Sequence, residues 1–347
     1  MSTMFTLSQL GWRPFFQQQL SLEEWGEVLV ARVMAQHRSG CLVATQHSTF
    51  NLIPTAEMDE MTVGDWVLLD SNKGFIRLLD RLSVFRRKAA GSKRKAQLTA
   101  ANVDTVFVVC SLNDDFNLNR IERYLALVHE AGAEPVIVLS KRDCCDDPDV
   151  YIQQLRRLDS LLMVEAVNGL DRASVAVLES WCAVGKTLAF LGSSGVGKST
   201  IINALLGGEF QRTHTIREDD SKGRHTTTGR VMQLMPSGAL LLDTPGMREL
   251  HLVACEQGIE STFSDITLLA ERCRFSDCQH QCEPGCAVLA EVELGSLETR
   301  RLENYHKLKR EQAQSTASLA ELRHRDRSVT KLHSSFQKNT QVRKKGR

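Results

Sequence analysis

Gly192-Ser193-Ser194-Gly195-Val196-Gly197-Lys198-Ser199 fits the pattern G-x-x-x-x-G-K-[ST]. An apolar run from Thr187 to Leu191 leads in, and Thr200 to Leu206 leads out as a helix. A strand–loop–helix of this kind turns successive backbone N–H groups toward one point. Its glycines let the chain approach phosphates closely, and the helix N-terminus adds positive potential. Residues 192–200 are therefore expected to hold a nucleoside triphosphate. Lys198 would reach the β- and γ-phosphates as a catalytic cation, and the Ser199 hydroxyl would hold Mg²⁺.

Base choice needs a carboxylate able to accept both guanine N1–H and the exocyclic amine, a pairing adenine cannot offer. Asp143 in Ser140-Lys141-Arg142-Asp143 follows the apolar run Val136 to Leu139 and suits that role, with the Lys141 stem along the base plane. Ser140 stands where the usual motif has Asn. Ala166-Val167-Asn168, after the next strand, is a second candidate for the guanine side. The base-reading segment lies before the phosphate loop instead of after it, which points to a circularly permuted guanine-nucleotide switch.

Asp243-Thr244-Pro245-Gly246 ends another apolar strand and fits DxxG, with Asp243 on a Mg²⁺-linked water and the Gly246 N–H at the γ-phosphate. Gly223-Arg224-His225-Thr226-Thr227-Thr228 lies between the two motifs, where a first switch belongs. One of its threonines should complete the Mg²⁺ shell; Thr227 is the candidate, though sequence does not decide which. Met247 occupies the position where Ras-like enzymes carry a water-orienting Gln, so hydrolysis needs another group. His225 is the candidate.

A second chemistry is written into Cys273-x₄-Cys278-x-His280-x₅-Cys286. Three thiolates and an imidazole suit one tetrahedral Zn²⁺, closed to water and so structural. Cys282 competes as a ligand, and Pro284-Gly285 supplies the turn that returns Cys286.

The elements positioning these groups follow from periodicity. Five short strand candidates (28–33, 41–44, 50–53, 65–69 and 75–79) suggest a small barrel, with an OB-fold the natural five-stranded choice. From Val103, near-continuous apolar strands (103–110, 135–140, 161–166, 187–191, 231–235, 239–243) alternate with helices. Ile121, Leu125 and Val128 fall at helical spacing before Gly132. That pattern means a largely parallel sheet covered on both faces. A charged helical stretch follows around 296–314.

The expected organisation is multidomain. It comprises an N-terminal extension (1–22), an OB-fold β-barrel (23–88), a basic linker (89–102) and a circularly permuted α/β P-loop GTPase (103–255). A mainly helical zinc-binding domain (256–322) and a basic disordered tail (323–347) complete it. Arg86-Arg87-Lys88 and Lys93-Arg94-Lys95, beside the barrel, read as an RNA-phosphate contact or a solvated linker.

The 347 residues allow two or three domains, and a formal charge of +1 gives no global field for nucleic acid. No apolar run approaches the roughly 20 residues that cross a bilayer, and no secretory signal opens the chain. Ten cysteines in a chain of this size favour a metal over disulfides. The expectation is a cytoplasmic protein with no membrane contact.

Together these motifs, with Ala101-Asn102-Val103-Asp104, resemble the RsgA (YjeQ) family of bacterial circularly permuted GTPases across nearly the whole chain. The resemblance implies an N-terminal OB-fold, a central GTPase and a zinc-binding C-terminal domain. It also implies ribosome-stimulated hydrolysis of GTP to GDP, with Mg²⁺, during late assembly of the small (30S) ribosomal subunit and in contact with its rRNA. A monomer is expected. Alternatives left open are a nucleotide-gated RNA-binding scaffold, a permuted GTPase of large-subunit assembly and an ATP-using P-loop enzyme. Ser140, Cys282 and the basic tail depart from the family pattern.

Overall fold

The computed structural model describes residues 5–37, 40–53, 58, 60–88, 96–113, 115–208, 230–243 and 255–316. Five strands open the chain after a short helix α1 (Pro14–Gln17): β1 (Leu29–His37), β2 (Gly40–Ala44), β3 (Thr49–Leu52), β4 (Trp66–Leu69) and β5 (Phe75–Leu78). All are antiparallel, in the order β3-β2-β1-β4-β5. Ala31, Val33, Val43, Val67 and Leu69 alternate onto one side and bury a small core of their own.

A hairpin follows that the sequence did not announce. The strands β6 (Val84–Lys88) and β7 (Ala96–Ala101) pair antiparallel, so Arg86 and Arg87 lie on a strand. The basic stretch at its turn, residues 89–95, lies outside the described residues.

The parallel sheet is built from β8 (Thr105–Ser111), β9 (Glu134–Ser140), β10 (Met163–Ala166), β11 (Thr187–Leu191) and β13 (Leu240–Asp243), in the order β10-β9-β8-β11-β13. β12 (Arg230–Leu234) runs antiparallel to β13. Every residue of β8 is buried: Val106, Val108 and Cys110 enter one core, Phe107 and Val109 the other. That double burial explains the unbroken apolar runs. Helix α2 (Leu118–Ala131) covers one face and ends at Gly132, whose φ of 77° is the left-handed cap glycine accepts readily. Helices α3 (Pro148–Leu158) and α4 (Arg172–Val175) connect the next strands.

The two sheets are joined. β1 pairs with β12 through Ala35–Val231 and Gln36–Arg230, so the strands form one continuous eleven-stranded sheet. Arg32, 1% exposed, sits at the seam. Its guanidinium donates to the carbonyls of Leu10, Gly64 and Asn102 and to Thr187 Oγ1 at 2.8 Å, and lies over the Trp66 ring. Burial lowers its pKa to about 10, against the pull of Asp104. The Ala101-Asn102-Val103-Asp104 segment makes the same joint. Asn102 binds Leu82 N and Gly64 O, and the Asp104 carboxylate accepts from Arg13 and from Thr187 N.

After β13 come α6 (Glu256–Thr262), α7 (Ser264–Ala270), α8 (Ala287–Glu293) and α9 (Thr299–Thr316). Glu122 of α2, fully buried, receives Arg300, Arg301 and Asn304 of α9, and Arg301 also holds Asp265 of α7.

Candidate nucleotide and metal sites

Parallel strands end together, and here the ends of β9, β8, β11 and β13 bring Ser140, Ser111, the loop after Leu191, and Asp243 to one edge. Ligands of open α/β sheets bind at such carboxyl edges. The permuted chain order therefore closes into one site in space.

The phosphate loop runs from Gly192 to Gly197 and enters helix α5 (Lys198–Leu206) through Gly197 at φ 92°. A side chain at Gly192 would strike the Val109 carbonyl at 2.3 Å, so glycine is needed for the loop to leave the sheet. Lys198, 7% exposed, folds back and donates from Nζ to the carbonyls of Gly192 (2.8 Å) and Ser193. Ser194 and Gly195 are exposed, Ser193, Ser199 and Thr200 half-buried, and Val196 is packed in the core.

Ser140 is buried at 2% exposure, and its Oγ donates to the Val196 carbonyl at 2.5 Å. The hydroxyl at the usual Asn position thus ties the candidate base-reading segment to the phosphate loop. Lys141 takes a left-handed φ of 56°, an uncommon state for a non-glycine residue and one concentrated at functional sites. The turn Arg142–Cys144 follows, with Arg142 N–H bonded to the Val167 carbonyl and Asp143 exposed. A cavity of about 400 Å³ lies between the two segments, lined by Ser111, Asn113, Asp115, Lys141 and Ser194 to Val196. The Asn168 amide N–H bonds Ser174 Oγ, so that segment is tied to the start of α4.

Sequence reasoning missed Arg120, whose NH1 donates to Ser193 Oγ at 2.6 Å and also pairs with Asp115. Asp243 ends β13 beside the loop strand. His225, Thr227 and Gly246 lie outside the described residues.

At the second site the ligand atoms of Cys273, Cys278, His280 and Cys286 lie within 4.8 Å of one another. Cys273 Sγ is 3.6 Å and Cys286 Sγ 3.4 Å from His280 Nδ1, and the two sulfurs are 3.8 Å apart. A tetrahedral centre about 2.3 Å from each thiolate spaces sulfurs about 3.8 Å apart. The geometry fits a single metal ion. Cys282 is exposed and outside this cluster, so the competition expected from sequence does not arise here.

Local structure explains the convergence. His280 holds φ 56°, and the Glu283 carboxylate accepts from the N–H groups of Gln279, Gln281 and Cys282. Hydrogen bonds from Gln281 first, then Gln279 and Cys282, lower the Glu283 pKa to about 2. Burial raises the Cys273 thiol, yet hydrogen bonds with the N–H groups of Ala287 and Val288 and with the Cys286 and Cys278 thiols together hold it below its usual range. The same helix start uses Cys286 Sγ as acceptor for Leu289 N. His306 of α9 reaches the His280 carbonyl at 3.2 Å.

Comparisons with known proteins agree with this geometry. The family model described as RsgA GTPase matches residues 78–253. The small ribosomal subunit biogenesis GTPase RsgA 2 of Vibrio parahaemolyticus is 61% identical over 331 residues, covering 95% of this chain and 92% of that protein. Its counterpart in Vibrio vulnificus is 55% identical, covering 98% and 97%. Among solved structures, YjeQ from Thermotoga maritima aligns with TM-score 0.61 at 23% identity, covering 81% of this chain and 97% of that one. YloQ, a circularly permuted GTPase, aligns with TM-score 0.60 at 22% identity, covering 84% and 98%. Motif order, sheet topology and sequence identity converge, and the chain belongs to the RsgA GTPase family.

Proposed function

We propose that this protein is a GTP-driven checkpoint in late assembly of the small ribosomal subunit, hydrolysing GTP to GDP and phosphate when the subunit stimulates it. The observation that carries the reading is the Ser140–Val196 hydrogen bond, which unites a candidate guanine reader with a phosphate loop despite their permuted order. The relatives named for small-subunit biogenesis, matched over most of their length, support the partner.

In this reading Asp143 accepts from the guanine edge while Lys141 lies along the base. Ser140 to Asp143 form the base segment, and 192–200 the phosphate cradle. Lys198 leaves the Gly192 and Ser193 carbonyls for the β- and γ-phosphates, whose charge competes better than two peptide oxygens. Ser199 and Thr227 would hold Mg²⁺, with Asp243 as a further supporting carboxylate, and the ion would supply charge neutralisation. Gly246 N–H senses the γ-phosphate, and His225 orients the attacking water. Catalysis is then mostly positioning and electrostatics.

Cys273, Cys278, His280 and Cys286 hold one structural Zn²⁺, which fixes the knuckle against α9. The domain limits proposed are 1–22, 23–88, 103–255, 256–322 and 323–347; residues 89–102 are not a plain linker, because Ala96–Ala101 is a strand that pairs with Val84–Lys88 across the boundary expected at 88. Residues 23–88 act as an OB-fold, a partly open five-stranded barrel, in keeping with a first strand flanked by the second and fourth. That module, the basic hairpin and the zinc domain contact rRNA. The protein works as a cytoplasmic monomer, and the described residues contain no helix long and apolar enough to cross a membrane.

The test is co-sedimentation with separated ribosomal subunits in GDP, GTP and a non-hydrolysable GTP analogue. Retention on small subunits with the analogue and release with GDP are expected. Equal retention in every nucleotide would mark a scaffold, and retention on large subunits would move the partner.

A further inference from the structure

We infer that Arg120 is a positioning residue for the phosphate loop, acting through Ser193; the inference rests on the nucleotide reading of that loop. Arg120 is the third residue of α2, whose cap Asn117 accepts from its N–H at 3.0 Å. The first turn of a helix is where the macrodipole favours acids and disfavours cations. An arginine there costs stability unless something offsets it. Asp115, just before the helix, supplies that offset by pairing with NH1.

The same nitrogen reaches Ser193 Oγ at 2.6 Å, crossing from α2 to the second residue of the phosphate loop. Ser193 is thus held from two directions: its hydroxyl by Arg120, its carbonyl by Lys198. The two holds have different fates on binding. Lys198 must turn toward the phosphates, so its grip on the Ser193 carbonyl is lost when nucleotide arrives. Arg120 bonds the side-chain hydroxyl and not the backbone carbonyl that Lys198 gives up, so its grip persists. The loop's first turn therefore keeps its path while its lysine is exchanged between partners.

This arrangement predicts a cost shared by diphosphate and triphosphate. Arg120 shapes the backbone around both, and it does not select for the γ-phosphate. A hydrogen bond from a charged donor in a half-buried place is worth about tenfold in an equilibrium constant.

The experiment measures dissociation constants for fluorescent GDP and a fluorescent non-hydrolysable GTP analogue on the full chain. Arg120→Ala, Ser193→Ala and the double variant are compared with the parent. Arg120→Ala is expected to weaken both nucleotides by about tenfold and equally, chiefly through faster dissociation. Ser193→Ala, which leaves the Arg120–Asp115 pair in place, should do nearly the same, and the double variant should be no worse than either. Arg120→Lys should recover part of the loss.

Additive losses in the double variant would overturn the inference, because the two residues would then act separately. So would a loss confined to the triphosphate, which would make Arg120 a direct phosphate ligand. If the parent bound adenine as well as guanine nucleotides, the guanine reading would fall, and the coupling between positions 120 and 193 could still be read with either base.

Discussion

The Ser140 hydroxyl and the Val196 carbonyl are 2.5 Å apart, joining the end of β9 to the phosphate loop across 56 residues of chain. Removing the donor leaves a buried carbonyl without it and loosens both halves of the site at once. Ser140→Ala is expected to weaken guanine-nucleotide binding by about fivefold, roughly 1 kcal/mol, with little change in thermal stability. Titration calorimetry with GDP checks this. An unchanged affinity would mean that the two segments hold their places by packing alone.

Glu122 and Arg301 form a second long-range tie, at 2.9 Å with both side chains almost wholly buried. Glu122 is shared by Arg300, Arg301 and Asn304, and Arg301 keeps Asp265 as a second partner, so Glu122→Ala should cost about 3 kcal/mol in urea unfolding, the low end for a broken buried pair. The loss should appear at the junction of α2 with α9, visible as faster amide exchange there.

The ten thiols should sort by environment. Burial raises Cys110 to about 11, and Cys182 and Cys255 to about 12, so these stay protonated and unreactive at neutral pH. Cys144 and Cys282 are exposed and should react first with a disulfide reagent. Chelation of the metal should add three more reactive thiols, Cys273, Cys278 and Cys286. No gain after chelation would count against their role as ligands.

Glu24 anchors the N-terminal segment to β5 by accepting from Nε and Nη2 of Arg77, each at 2.8 Å. Hydrogen bonds from Arg77 first, and then from Ser21 N–H, lower its pKa from 4.5 to about 2. A depressed carboxylate stabilises the fold fully above its unfolded value and loses that contribution as pH falls. Stability should therefore drop between about pH 4.5 and 2, and Glu24→Gln should flatten that part of the slope. Melting temperatures across this range for both proteins decide it.

Much of the fold could be read from short-range pattern. The five opening strands, the buried strands of the parallel sheet and the α2 helix up to Gly132 carry clear periods, and the phosphate loop and the Cys/His spacing are local motifs. What stayed hidden depends on contacts distant in sequence. The β6–β7 hairpin is split by residues 89–95 and presents arginines where a strand usually shows an apolar face. The β1–β12 joint is a register between segments almost two hundred residues apart. Arg32, a charge inside an apolar strand, was a visible signal of such a joint, because a buried cation must find partners. Arg120 gave no comparable sign, since an exposed-looking arginine on a helix is ordinary until its neighbour in space is known.

The central claim is that guanine-triphosphate hydrolysis by this chain is switched on by the small ribosomal subunit. Steady-state GTP turnover by zinc-replete protein, alone and with purified small or large subunits, tests it most directly. Small subunits should raise the rate by at least about tenfold, as partner-completed GTPase sites do, and large subunits should leave it unchanged. A rate indifferent to small subunits, at concentrations where they bind, would contradict it.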